Sequence, residues 1–184
     1  MFKFCSLFSG STGNSLFIET ENSNAGESAK KIVSALSLIN VSVNDIDAIL
    51  VTHEHIDHVK SLGTLSKKYN IPVYANNGTW NAMPEHQAKI LKDNQKTFVV
   101  NNDFEIKDLS FHPFSIPHDA ADPCGFNIVH KDKKISIATD LGHITPEIMN
   151  GLSQSQFLLL EANYDPNILK YSKYPYSLKQ RIAG

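Results

Sequence analysis

Residues 51–58 read VTHEHIDH, and four ligand-type side chains, His53, His55, Asp57 and His58, fall within six consecutive positions. The whole chain has 8 histidines, so this crowding is not a matter of composition. The run AILVT just before it has strand character. Side chains alternate along an extended chain, so His53, His55 and Asp57 point to one side. His58 joins them once the chain turns into the next segment. Burying four such groups without partners would cost roughly several kcal/mol. A metal ion offsets that cost, because neutral imidazole and carboxylate both ligate zinc and its neighbours well. A zincin site is excluded: HExxH would start at His53-Glu54, but the position that must be histidine is Asp57. A closed structural zinc site favours cysteine ligands, and the two cysteines here, Cys5 and Cys124, form no CxxC pair.

Four donors from six residues fit poorly around one small ion. Two ions about 3.5–4 Å apart solve this, with His53 and His55 on one and Asp57 and His58 on the other. Further ligands must come from elsewhere. Two stretches stand out, both at strand ends: IPHDAADPCG, with His118, and ISIATDLGH, with Asp140. Taken alone, His118 also reads as an ordinary histidine and Asp140 as a cap or turn residue.

The elements that must position these groups are legible in outline. FKFCSLF and SLFIET read as strands joined by the turn SGSTGN. AKKIVSALSLIN has helical spacing at Ile32, Val33, Leu36 and Ile39. HVKSLGTLSKKYN reads as one amphipathic helix through Val59, Leu62, Leu65 and Tyr69. IPVYAN is a strand, with a short helix near Trp80. KTFVV, FEIKDLSFHPFSI, GFNIVH and KISIATD read as strands, the last two as a hairpin. QFLLLEA reads as a fully buried strand. DPNILK opens a helix, with Asp165 as cap and Pro166 in its first turn, and YSLKQRIAG is the next. The pattern predicts two sheets in contact with helices outside, an α/β or α+β layered domain.

Bulk properties set limits. The 184 residues are 41% hydrophobic and 20% charged, with net charge −2 and a pI near 6.4. That argues against a protein coated in positive charge for nucleic acid, though not against a local basic groove. Lys170, Tyr171, Lys173, Tyr174 and Tyr176 interleave basic and aromatic types as single-strand binding would want; packing of those tyrosines into a core is the expected alternative. Cys5 reads as a small core residue and Cys124 as a loop residue near a site. No signal-peptide core and no run approaching a membrane span is present, so the expectation is a soluble cytoplasmic protein.

With these residues on the page, the chain resembles the metallo-β-lactamase superfamily, whose HxHxDH signature stands here as His53-Glu54-His55-Ile56-Asp57-His58. SGSTGNS, THEHIDHVKSLGTLSKKYNIPVYAN, PHDAADPCGF, ATDLGH and LLLEANYDPNILKYSKYPYSLKQRI are similar to the YycJ/WalJ branch, bacterial cytoplasmic proteins linked to 5′-to-3′ DNA exonuclease activity. The resemblance implies an αββα sandwich with the site at one edge of the sheets, a single domain over 1–184. It implies His118 as the third histidine of the first metal site and Asp140 as a bridging ligand, with His112 as the unused rival. His86 and His130 read as surface residues. His143 is a candidate to support a ligand or touch substrate, and Glu161 and Asn163 are candidates to orient a ligand histidine, with a capping or core-rim role as the alternative. Ser11 and Asn14 lie in the turn at Ser9–Asn14, which reads either as backbone N–H groups placed to receive a phosphate or as a tight hairpin turn alone.

Two departures from the family pattern set further expectations. An apolar strand ending in Asp-x-Gly normally precedes the first helix; here only Ala25-Gly26 resembles its end. The family also continues into a Gly-His-Leu motif whose histidine completes the second metal site, and this chain ends at RIAG. An incomplete sandwich is therefore expected. The expected reaction is phosphodiester hydrolysis by a hydroxide held between two divalent ions, zinc first, with manganese or iron as alternatives. Asp57 would bind the second ion and orient the nucleophile. DNA or another phosphodiester is the expected substrate. The rival readings are a hydrolase of a small phosphodiester, thioester or lactam, and a metal-poor binding module.

Overall fold

The computed structural model describes residues 3–8, 15–19, 29–161, 166–177 and 179. Ser11, Asn14, Ala25-Gly26, Asn163, the Asp165 cap and the RIAG terminus lie outside the described residues. Strands β1 (Lys3–Phe8) and β2 (Ser15–Glu19) form an antiparallel pair, as the two apolar runs predict. Helix α1 (Ala29–Leu38) buries Ile32 and Leu36. Strands β3 (Ile49–Leu50), β4 (Val73–Asn76) and β5 (Gln95–Phe98) then make a parallel three-stranded sheet. The connections carry α2 (Ile56–Val59), α3 (Leu62–Tyr69), α4 (Asn77–Ala82) and α5 (Pro84–Gln87). A five-stranded sheet follows, from β6 (Phe104–Ile106), β7 (Leu109–Ser115), β8 (Cys124–His130), β9 (Lys133–Ala138) and β10 (Phe157–Leu160), ordered β10-β9-β8-β7-β6. The first four pair antiparallel, while β10 joins β9 in parallel after a crossover through α6 (Pro146–Leu152). Helix α7 (Pro166–Tyr171) follows β10, and Tyr176, Ser177 and Lys179 are again helical.

Alternation of side chains sorts the layers. Ile49, Val73 and Ala75 face α1 and α3, packing with Ile32, Leu36, Leu62 and Leu65. Their neighbours Leu50 and Tyr74 face the other way, with Phe98, onto Phe111, Phe126, Ile128, Ile135 and Ile137 of the larger sheet. Between the sheets Phe104 stacks on Phe98 and Phe111, with ring centroids 5.1 and 5.3 Å apart. On the far side of the larger sheet, Phe114, Ile116 and Ala138 pack under Ile148 and Leu152 of α6. Gly125 permits this, since a Cβ there would lie 2.6 Å from the Phe114 ring. The order is helix, sheet, sheet, helix, the αββα sandwich expected. Each large apolar side chain so buried contributes roughly 1.5–3 kcal/mol.

Four expectations are corrected. The run QFLLLEA is not a buried strand: Phe157, Leu158 and Leu160 of β10 are 42%, 43% and 38% exposed. β10 is an edge strand, paired only with β9 among the described residues. The segment 58–70 is two helices, broken at Lys60-Ser61, which lets α3 settle where Gly63 meets Lys89; a Cβ on Gly63 would stand 2.5 Å from that of Lys89. Tyr171, Tyr174 and Tyr176 are exposed rather than packed in a core. Cys5 is half-buried at the edge of the α1-side core. No described helix is long and apolar enough to cross a membrane.

Candidate metal centre

The end of β3 delivers the chain to the cluster. Val51 N–H donates to the Tyr74 carbonyl at 2.9 Å, so the pairing with β4 runs on past Leu50. His53 follows, fully buried. His55 is extended (φ −58°, ψ 143°) and caps α2, whose single turn carries Asp57 and His58. One extended step and one helical turn thus bring four donors together. His118 comes from the loop after β7, Asp140 from the end of β9.

Two donor groups result. The first is His53, His55 and His118; the second is His53, His58 and Asp140; within each the candidate ligand atoms lie within 4.8 Å of one another. Asp57 adjoins the second group, with Oδ2 at 3.5 Å from His58 Nε2, the same distance as Asp140 Oδ2. All six residues expected as metal ligands therefore converge. His112 does not: it pairs with Asp103 at 2.6 Å, and His130 pairs with Asp108 at 3.2 Å. His86 is half-buried on α5 and His143 is exposed, and neither belongs to the two groups.

The chemistry of the donors fits a cation. His55 Nε2 lies 3.2 Å from the Asp119 carbonyl, which can only accept, so the ring proton sits there and Nδ1 carries a lone pair. His118 Nδ1 lies 3.4 Å from the Asp119 carboxylate, which leaves a lone pair on Nε2. These two bare nitrogens face each other at 3.1 Å. His53 Nε2 is also 3.1 Å from His55 Nδ1 and has one proton at most to offer. A positive ion between the nitrogens removes the mismatch. In the second group, His58 Nε2 and Asp140 Oδ2 are buried and lack a hydrogen-bond partner. Buried polar atoms without a hydrogen bond are costly, and coordination is what would satisfy them.

The field around His53 keeps it a ligand rather than a cation. Burial, and then the neighbouring His58, His118 and His55 rings, push its pKa down to about 2. Its imidazole stays neutral at any ordinary pH.

Several residues without conspicuous sequence signals hold the site together. Glu161, a candidate from the sequence, accepts a hydrogen bond from the backbone N–H of Asp140. Asp140 is left-handed (φ 56°), a conformation that short polar side chains tolerate. The Glu54 carboxylate accepts from Ala121 N–H at 2.8 Å, and Asn76 Nδ2 donates to the Asp122 carbonyl at 2.7 Å. Gly142 N–H donates to the Pro117 carbonyl at 2.8 Å. The loop bearing His118 is thereby strapped to the HxHxDH segment, to β4 and to the loop bearing Asp140. Cys124 is buried, and burial, with a smaller effect of Asp122, raises its thiol pKa. Thr52, Glu54 and Asp119 went unread in the sequence; their only signal is adjacency to a ligand histidine.

Comparison with known proteins agrees with this geometry. Residues 25–172 match the family described as the beta-lactamase superfamily domain. The chain is 36% identical over 185 residues to the exodeoxyribonuclease YycJ of Bacillus anthracis, covering 98% of this chain and 70% of that protein. It is 37% identical over 189 residues to the exodeoxyribonuclease WalJ of Streptococcus pneumoniae, covering 100% of this chain and 70% of that one. Among solved structures, the metallo-beta-lactamase fold protein YhfI of Bacillus subtilis superposes with a TM-score of 0.71 at 15% identity, over 89% of this chain and 72% of that one, a likeness of fold. Family and donor set together mark a metal-dependent hydrolase. The chain belongs to the beta-lactamase superfamily domain family, and within it to the group of YycJ and WalJ.

Proposed function

We propose that this chain is a metal-dependent exodeoxyribonuclease that holds two divalent ions, zinc first among them, at the rim of its two sheets. The observation that carries the reading is the pair of donor groups meeting at His53, three imidazoles on one side and imidazole with carboxylate on the other. His53, His55 and His118 would hold one ion, and Asp57, His58 and Asp140 the other. Divalent ions at such a site lower the pKa of water and neutralise charge on phosphoryl oxygens. Asp57 is the more exposed of the two carboxylates, 27% against 16% for Asp140. That exposure suits it to accept a proton from an attacking water and to orient it. Asp140, held by Glu161, suits a fixed ligand at the middle of the site. The exodeoxyribonuclease relatives support DNA as substrate, and an enzyme acting on DNA fits a place in the cytoplasm. The exposed Lys170, Tyr171, Lys173 and Tyr174 offer charge and stacking faces for a single strand.

The test is elemental analysis of protein purified without chelator, followed by hydrolysis of linear DNA labelled at the 5′ or 3′ end. Two ions per chain and release of nucleotides from one end support the reading. Hydrolysis of a small phosphodiester, thioester or lactam with DNA untouched replaces the substrate. Wild-type rates in His55→Ala and Asp140→Ala overturn the site.

A further inference from the structure

Thr52 sits between the two donor groups. Its hydroxyl oxygen is 3.1 Å from His53 Nδ1 and 3.4 Å from His58 Nδ1. The two rings tilt toward each other at 47°, with centroids 4.1 Å apart. The Thr52 backbone is fixed independently, because its carbonyl accepts from Cys124 N–H at 3.1 Å and from the Cys124 thiol at 3.6 Å. The backbone that carries the hydroxyl is therefore held in place by the first residue of β8.

We propose that Thr52 is a positioning residue shared by both halves of the metal centre, its one hydroxyl accepting the Nδ1 protons of His53 and His58. This rests on the two-ion reading above. A ring that donates from Nδ1 must present a bare Nε2 to a metal, and for both rings Nε2 is the atom that faces the donor groups. The hydroxyl thus selects the ligating tautomer at one histidine of each group and fixes both ring planes. His55 and His118 obtain the same service from Asp119. A valine would keep the branched shape of Thr52 and lose the acceptor. A serine would keep the acceptor and lose the methyl.

The experiment compares the wild-type chain with Thr52→Val and Thr52→Ser, titrating zinc into metal-free protein against a chromophoric chelator. Loss of an outer partner typically weakens metal binding about 10–100-fold. Thr52→Val should lose affinity in that range at both sites, and Thr52→Ser should stay within about threefold of wild type, a small fraction of that loss. Two-bond nitrogen–proton correlation spectra of the zinc-loaded wild type, which need no variant to fold, should show His53 and His58 both protonated at Nδ1. An Nε2-protonated tautomer at either ring overturns the proposal. So do wild-type affinities in Thr52→Val, a loss confined to one site, or a Thr52→Ser chain that behaves like Thr52→Val. A wild-type chain binding fewer than two ions overturns the two-ion reading and this proposal with it, whereas two ions in the wild type with any of the other failures overturns only the role of Thr52.

Discussion

The carboxylate of Glu161 accepts the backbone N–H of Asp140, tying the end of β10 to the end of β9 at the point where the second donor group forms. Asp140 holds a left-handed conformation there. Glu161→Ala leaves that N–H without its acceptor, at a cost of about 1–3 kcal/mol. Thermal unfolding should fall accordingly, and metal content at the second site should drop. Glu161→Gln keeps an amide oxygen as acceptor and should recover most of both. Equal behaviour of the two variants would mean the bond does nothing for Asp140.

His55→Ala and Asp140→Ala should differ in what they lose. The first removes a donor from the three-histidine group, the second from the His58 group. Each should cost one ion more than the other and lower hydrolysis by more than the roughly 100-fold that upper-range outer partners cost. Elemental analysis and single-turnover rates on the same preparations check this.

Gly78 lies against the loop that bears His118. A Cβ at residue 78 would stand 2.3 Å from the Cβ of Asp122. Gly78→Ala should therefore push that loop away, costing about 1–3 kcal/mol of stability through overpacking. It should also weaken the first site without touching a ligand. Zinc affinity measured alongside the unfolding midpoint checks it, and a loss of stability with unchanged affinity would uncouple the loop from the site.

Acid should destabilise the metal-free protein through His53. Its folded pKa is lowered to about 2 from 6.5, so below pH 6.5 the unfolded chain binds a proton that the folded one refuses. Stability is then full above pH 6.5 and declines as pH falls toward 2, by roughly 1.4 kcal/mol per pH unit for this one group at its steepest. Chemical denaturation of metal-free wild type and His53→Gln between pH 7 and 5 should show the slope shrinking in the variant.

If DNA runs over α7, Lys170→Ala with Lys173→Ala should raise KM for single-stranded DNA while leaving kcat near wild type. Each lost phosphate contact should flatten the salt dependence by about 0.7 in log–log slope. An unchanged slope removes this face from the substrate path.

Much of this architecture could be read from residues alone, and the limits follow from physics. VTHEHIDH is local: a strand end and one helical turn bring four donors together whatever the rest of the chain does. His118 and Asp140 are tertiary partners, delivered by strands of the other sheet, and no spacing rule singles them out. β10 misled because an apolar run does not reveal how much of a strand gets covered. The break at Lys60-Ser61 was invisible because the apolar spacing of Val59, Leu62 and Leu65 runs straight through it. Thr52 was passed over because a threonine at the end of a strand is what strands ordinarily contain.

His55 and His118 are 63 residues apart in sequence, yet their nitrogens meet at 3.1 Å. An ion between them is a cross-link between the two sheets as much as a reagent. Like any cross-link closing a long loop, it removes freedom from the unfolded chain, and it binds only when the sheets are docked. Stripping the metal should therefore change how the protein comes apart. With the ion bound, the strap carrying His118 should open only as a ligand is released; without it, that strap should be among the first parts to open.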